Sequence, residues 1–254
     1  MTYDVSGAGE AMLLIPGLGG SASFWNAVAA RLIDNYTVIR FDHRGTGRSD
    51  RPNFKGSISR IAQDARELLG AVGHSSATIV GHSTGGMVAQ YLALDHPDTV
   101  ARLVISGSWE QPDARFRAMF EARLRVLLDA GPQTYQTLTH ALGYPAAYLE
   151  DNRQDLLRTV EGAEAALSPL SVAAGRIEML LSDHRASELA SIRAPTLIIG
   201  ATDDALVPFY HSQRLATLIP SARLEALDGA HFFPKVHPDR FVKIVRQFVE
   251  CADG

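Results

Sequence analysis

The sequence predicts an α/β fold, a mostly parallel sheet flanked by helices with a helical cap inserted between late strands. Three observations lead there. Short apolar runs bounded by Gly, Pro or Asp recur along the chain, as strands buried on both faces require. Helical patterns separate them, which a parallel sheet needs for its crossovers. The alternation stops after Ser108 and resumes only at Ala194-Pro195.

The first strand candidate is Met12-Leu13-Leu14-Ile15, followed by a helix carrying Trp25, Val28, Ala29 and Leu32 on one face. Tyr36 to Phe41 is the second strand candidate. Ile58, Ile61, Ala65, Leu68, Leu69 and Val72 mark the next helix. Ala77 to Gly81 and Leu103-Val104-Ile105 are further strands. Beyond them Pro112 to Ala130 reads as an amphipathic helix with Phe116, Phe120, Leu124 and Leu127 near one face, ended by Gly131. More helical sequence follows to about Glu188, then the strand Thr196 to Ile199 and another strand-like run before Asp228. The expected organisation is a core of residues 1–108 and 190–254 and a cap of residues 109–189, set over the strand ends where open α/β sheets place ligands.

With 254 residues, 46% of them hydrophobic and 20% charged, the chain can bury a large core. A formal net charge of −4 without long basic runs argues against a nucleic-acid partner or an anionic membrane. No leader pattern or membrane-length apolar stretch is visible, so the expected location is cytoplasmic. The one cysteine, Cys251, suits a reducing compartment. Oligomeric state is not legible.

The segment most informative about chemistry is Thr78-Ile79-Val80-Gly81-His82-Ser83-Thr84-Gly85-Gly86, a β-branched strand entering Gly-x-Ser-x-Gly and then a helix. Such a turn strains the serine backbone and lifts its oxygen clear of the sheet, and glycines on either side permit the close strand–helix approach. A serine hydroxyl needs an imidazole base and a carboxylate that orients the base. Asp203-Asp204 follows the late strand and His231 follows the next strand-like run, in the order Ser, Asp, His.

On these residues the chain resembles the α/β-hydrolase superfamily over essentially its whole length. The resemblance implies a serine hydrolase with Ser83 as nucleophile and His231 as base. In the family the acid directly precedes an x-hydrophobic-Val-Pro stretch, which selects Asp204, leaving Asp203 as a turn-capping residue. It also implies an oxyanion hole from the backbone amides of Leu18 and Thr84. Here the first of these loops begins Pro16-Gly17, where much of the family has His-Gly, which removes a structural imidazole and leaves its anchoring open. The Asp42 to Ser49 loop is similar to a structural loop of the family. Gly17 to Ser21, Gly45-Thr46-Gly47 and Gly143-Tyr144-Pro145-Ala146 look most like the aminoacrylate hydrolases of pyrimidine utilisation and, more loosely, the enol-lactone hydrolases. Those matches imply a small ester, lactone or amide- or enamine-like acid as substrate, with no cofactor. A carbon–carbon bond hydrolase or a thioesterase would share the same motifs.

Two rivals come from other classes. Gly17-Leu18-Gly19-Gly20-Ser21-Ala22 fits a dinucleotide-binding Gly-x-Gly-x-x-Ala with Asp42 as the ribose acid, although the bulky Phe24-Trp25 pair and the second elbow at Ser83 count against it. A binding protein that lost catalysis is the other, but no triad member is missing. The remaining histidines show no metal-ligand spacing, so no metal is expected.

Trp109, Tyr144 and Phe232 are candidate pocket walls, with ordinary core packing as the competing role. Arg123 falls between Phe116, Met119 and Leu127 on the apolar face of the first cap helix. A guanidinium there needs a partner, either a cap acid such as Glu150 or Asp151, or a substrate carboxylate held bidentately.

Overall fold

The computed structural model describes residues 1–50, 56–167, 169–220 and 222–251. Its sheet has seven strands in the order β1-β3-β2-β4-β5-β6-β7, all parallel except for β1 against β3. The predicted fold class is the observed one.

Strand β1 (Tyr3–Ser6) turns through Gly7 and Gly9, both at positive φ, into β2 (Glu10–Ile15). A Cβ on Gly7 would lie 2.3 Å from the Tyr36 carbonyl oxygen, so only glycine fits there. A 3-10 turn (Ala22–Trp25) and α1 (Asn26–Leu32) lead to β3 (Tyr36–Phe41). Helix α2 (Ile58–Ala71) opens on Ser57, whose hydroxyl accepts the Arg60 N–H, and precedes β4 (Ala77–His82), α3 (Thr84–Asp95) and β5 (Val100–Ser106).

Alternation along the central strands divides the core into two layers. Leu13, Ile15, Ile39, Phe41, Ile79, Leu103 and Ile105 pack with α2 and α3 on one face of the sheet. Met12, Leu14, Val38, Val80, Val104, Leu197 and Ile199 pack with α1 and the C-terminal helix on the other. Successive side chains point to opposite faces, so a strand covered on both sides has to be apolar throughout.

Between β5 and β6 lie α4 (Ala114–Gly143), α5 (Ala146–Asp151), α6 (Arg153–Glu161), α7 (Ala163–Ala166) and α8 (Leu170–Ser182). The Asp113 carboxylate caps α4 by accepting the Phe116 N–H at 3.0 Å. At Gly131 the backbone leaves helical geometry (φ 82°, ψ 175°) and Pro132 follows, so α4 is two helical segments joined at the predicted stop. Beyond β6 (Thr196–Ala201) come α9 (Phe209–Leu218), β7 (Arg223–Leu227), α10 (Phe233–Val236) and α11 (Pro238–Cys251). Among the described residues no helix is long and apolar enough to cross a membrane.

Candidate active site

The loops at the C-terminal ends of the central strands and residues of α4, α6, α7 and α8 line a cavity of about 410 Å³. Ser83 sits in its wall, between β4 and α3, at φ 55° and ψ −120°. It is the one non-glycine residue at positive φ among the described residues. Backbone in that region costs about 1–3 kcal/mol and persists only where neighbours impose it. Here they do. The Ser83 N–H donates to the Ser106 carbonyl, and the Ser83 carbonyl accepts from the Gly86 N–H and the Ser108 hydroxyl. A Cβ on Gly81 would lie 2.1 Å from the Gly85 oxygen, and one on Gly85 2.1 Å from the Ile15 oxygen. Both glycines of the motif are therefore required by contact between strand and helix.

His231 follows β7 and lines the same cavity. Its Nδ1 lies 2.6 Å from Asp204 Oδ2. The other carboxylate oxygen, Oδ1, accepts the N–H groups of Leu206 and Val207 at 2.9 and 2.8 Å, which turns Oδ2 toward the ring. Asp204 is buried, whereas Asp203 is exposed and its N–H donates to the Gly229 carbonyl.

His82, immediately before Ser83, is buried with its Nδ1 3.0 Å from Ser106 Oγ and its ring 4.8 Å from that of His231. Burial, reinforced by the facing His231, holds its pKa well below the ordinary imidazole range, so the ring is neutral.

Leu18 lies in the cavity wall, in the glycine-rich loop after β2, and Thr84 begins α3. Phe232 and Tyr144 also line the cavity, their rings 4.9 Å apart. Trp109 does not. It is fully buried, its ring tilted against that of Phe116 at 4.5 Å, with its carbonyl accepting from Gln90, so it packs in the core.

Arg123 is buried and reaches the cavity, but it pairs with neither Glu150 nor Asp151, contrary to one of the two expectations. Its Nη2 donates to Tyr135 Oη at 2.9 Å and Thr139 Oγ1 at 2.8 Å, and the guanidinium lies over the Phe120 and Tyr135 rings. Its Nε is buried without a partner. The acids are out of play because Gly143-Tyr144-Pro145 turns the chain, and α5 buries none of its residues.

Two further cations border the cavity that the sequence pattern did not single out. Arg176, on α8, donates from Nε to the Leu18 carbonyl at 2.8 Å and from Nη2 to His43 Nδ1 at 2.9 Å. Lys235 donates to Tyr144 Oη at 3.0 Å, and burial lowers its pKa. Helical periodicity singles out Arg123 in the sequence but marks Arg176 only once the span of α8 is known, and Lys235 lies on a single-turn helix with no periodicity to read.

Asp42, the ribose acid of the dinucleotide alternative, is consumed within the protein. Its carboxylate accepts the N–H groups of Ala22 and Arg48 at 2.8 Å each.

A family model for the alpha/beta hydrolase fold matches residues 10–238. The chain belongs to this family. It is a hydrolase. A relative from Azorhizobium caulinodans, provisionally named carbamate hydrolase RutD, is 38% identical over 97% of this chain and 93% of its own. A similarly named protein of Caulobacter vibrioides is 37% identical over 96% and 91%. Among solved hydrolase structures, one from Pseudomonas aeruginosa PA01 is 27% identical with a TM-score of 0.87, covering 97% of this chain and 93% of that one. The enol-lactonase of Burkholderia xenovorans LB400 has the same fold, with a TM-score of 0.89 at 23% identity over 98% and 96% of the two chains. The resemblance to the α/β-hydrolase superfamily read from the motifs is thus established.

Proposed function

We propose that this α/β hydrolase is a serine enzyme that cleaves a small carbonyl substrate through an acyl-enzyme. The observation that carries the reading is the strained Ser83 in one cavity wall with the Asp204-oriented His231. Asp204 at Nδ1 favours the tautomer whose Nε2 is free to accept the Ser83 proton, and it stabilises the imidazolium that results. His231 then protonates the leaving group, and water, activated by the same ring, releases the acid. The amides of Leu18 and Thr84 serve as oxyanion donors, and residues 109–189 act as the cap that shapes the pocket. No cofactor enters this scheme, and the reducing cytoplasm is its setting.

The cavity lining supports an anionic substrate. Arg123, Arg176 and Lys235 border it, and among the described residues no Asp or Glu does, in a chain whose formal net charge is −4. Arg123 is the group assigned to a substrate carboxylate, because its guanidinium is buried without an acid and Tyr135 and Thr139 hold it in place. The bond cleaved is an ester, lactone, amide or enamine-like bond, and the relatives' name adds carbamates to that range. A panel of carboxylate-bearing esters, lactones, thioesters, amides and carbamates, each beside a neutral analogue, tests this reading. Turnover of anionic members, abolished in Ser83→Ala, is the expected result. Preference for the neutral analogues throughout would contradict the substrate class.

A further inference from the structure

Helix α8 delivers a guanidinium to the loop after β2. Arg176 is 4% exposed and, among the described residues, pairs with no carboxylate. Burial lowers its pKa to about 10, so it stays charged at neutral pH. A buried charge without a counterion is costly, and an apolar side chain would close the same wall without that cost. What the guanidinium adds is direction.

Its Nε fixes the Leu18 carbonyl, and its Nη2 meets His43 Nδ1. Arginine cannot accept, so His43 Nδ1 accepts and the ring proton is on Nε2. Burial, with Arg176 alongside, keeps the His43 pKa well below the usual imidazole range, which preserves that acceptor. The His43 backbone N–H donates to the Gly20 carbonyl at 2.8 Å, and the Thr46 hydroxyl donates to the same oxygen or to the His43 carbonyl, while the ring Nε2 is buried without a partner. The grip is close. A Cβ on Gly20 would lie 2.5 Å from Thr46 Oγ1 and 3.1 Å from Arg176 Nη2.

Leu18 is flanked by Gly17 and by Gly19 and Gly20, and nothing lies within 4 Å of where a Gly19 Cβ would be. A loop so rich in glycine has wide backbone freedom unless something outside it removes that freedom. The imidazole that commonly opens this loop in the family is replaced here by Pro16.

We propose that Arg176 is a positioning residue that sets the Leu18 loop from α8, so that fast acyl transfer requires this helix to be seated. The inference rests on the assignment of Ser83 as nucleophile and the Leu18 amide as oxyanion donor. Arg176 acts through Leu18 and need not touch the substrate.

The test uses a neutral alkyl fluorophosphonate, which reacts at the serine and builds negative charge on the oxygen the loop would hold. Its second-order rate constant at Ser83 is measured in the wild type, Arg176→Met and Arg176→Lys. Loss of a whole oxyanion donor costs on the order of 100-fold or more, so loss of its anchor is expected to slow Arg176→Met by about 30-fold. Arg176→Lys, which retains a donor for the Leu18 carbonyl but lacks the fork, should be intermediate. Added methylguanidinium should restore part of the Arg176→Met rate, with melting temperatures unchanged to within a few degrees. Wild-type reactivity in Arg176→Met would overturn the proposal, and it would equally show that any effect on anionic substrates alone is direct substrate binding. A slowed Arg176→Met that melts early and is not rescued would also overturn it, in favour of simple packing. A wild type unlabelled at Ser83 is a distinct result that removes the underlying serine assignment and the proposal with it.

Discussion

Phe232, next to His231, is fitted against Gly143 at the end of α4: its N–H donates to the Gly143 carbonyl at 2.9 Å, and its ring covers the Gly143 Cα. A Cβ on Gly143 would lie 2.2 Å from Phe232 Cε2. The helical insert and the loop carrying His231 are therefore joined at a contact with no spare volume. Gly143→Ala should displace the ring, costing about 1–3 kcal/mol, and lower activity through the neighbouring His231. Thermal melting and turnover measured together check this. A variant with wild-type values for both would show that the contact is loose.

The two adjacent aspartates have different surroundings and should have different effects. Asp204→Asn is expected to reduce kcat by about 10⁴-fold, because an amide can donate to Nδ1 and stabilise the wrong tautomer. Asp203→Asn, at an exposed turn, should stay within about twofold, since surface changes of this kind are close to neutral. Steady-state kinetics of the pair decide, and the opposite ranking would move the acid to Asp203.

Most of this arrangement could be read from residue order. The central strands carry long apolar runs because both sheet faces are covered, and the Gly81, Ser83 and Gly85 spacing reports a backbone contact that admits no side chain. Strand β1 is not legible as a strand in the sequence. It pairs at the sheet edge, and Tyr3 and Val5 are 48% and 43% exposed, so it lacks the apolar signature of its neighbours. The partners of Arg123 and Arg176 are not legible in the sequence for another reason. They depend on how α4 and α8 cross over the loops, and that is set by tertiary packing rather than by helix period. Trp109 lay on the borderline, since a large aromatic at the start of an insert fits a pocket wall and a core equally well.

His43 and His82 give the protein an acid-sensitive stability. Both have folded-state pKa values well below 6.5, so the unfolded chain binds more protons as pH falls through that value. Their contribution is fully present above about pH 6.5 and is lost toward the lower folded-state values, at about 1.4 kcal/mol per pH unit for each ring. His82→Gln should remove about one proton from the uptake on unfolding near pH 5.5. Denaturant titrations at several pH values measure this, and an unchanged slope would show that His82 is already charged in the folded protein.

Arg123→Met separates substrate reading from cap stability. KM for a carboxylate-bearing ester should rise by about 10–100-fold, as loss of a charge-assisted bidentate contact implies, while KM for the methyl-capped analogue changes little. Equal losses on both compounds with a lowered melting temperature would make Arg123 a structural residue.

The central claim is that Ser83 forms the covalent intermediate. Intact-protein mass spectrometry after reaction with a fluorophosphonate, followed by peptide mapping, tests it directly. One adduct on the peptide containing Ser83, absent from a folded Ser83→Ala variant that has also lost turnover by several powers of ten, is the predicted result. An adduct on another serine, or turnover that survives in Ser83→Ala, would contradict it.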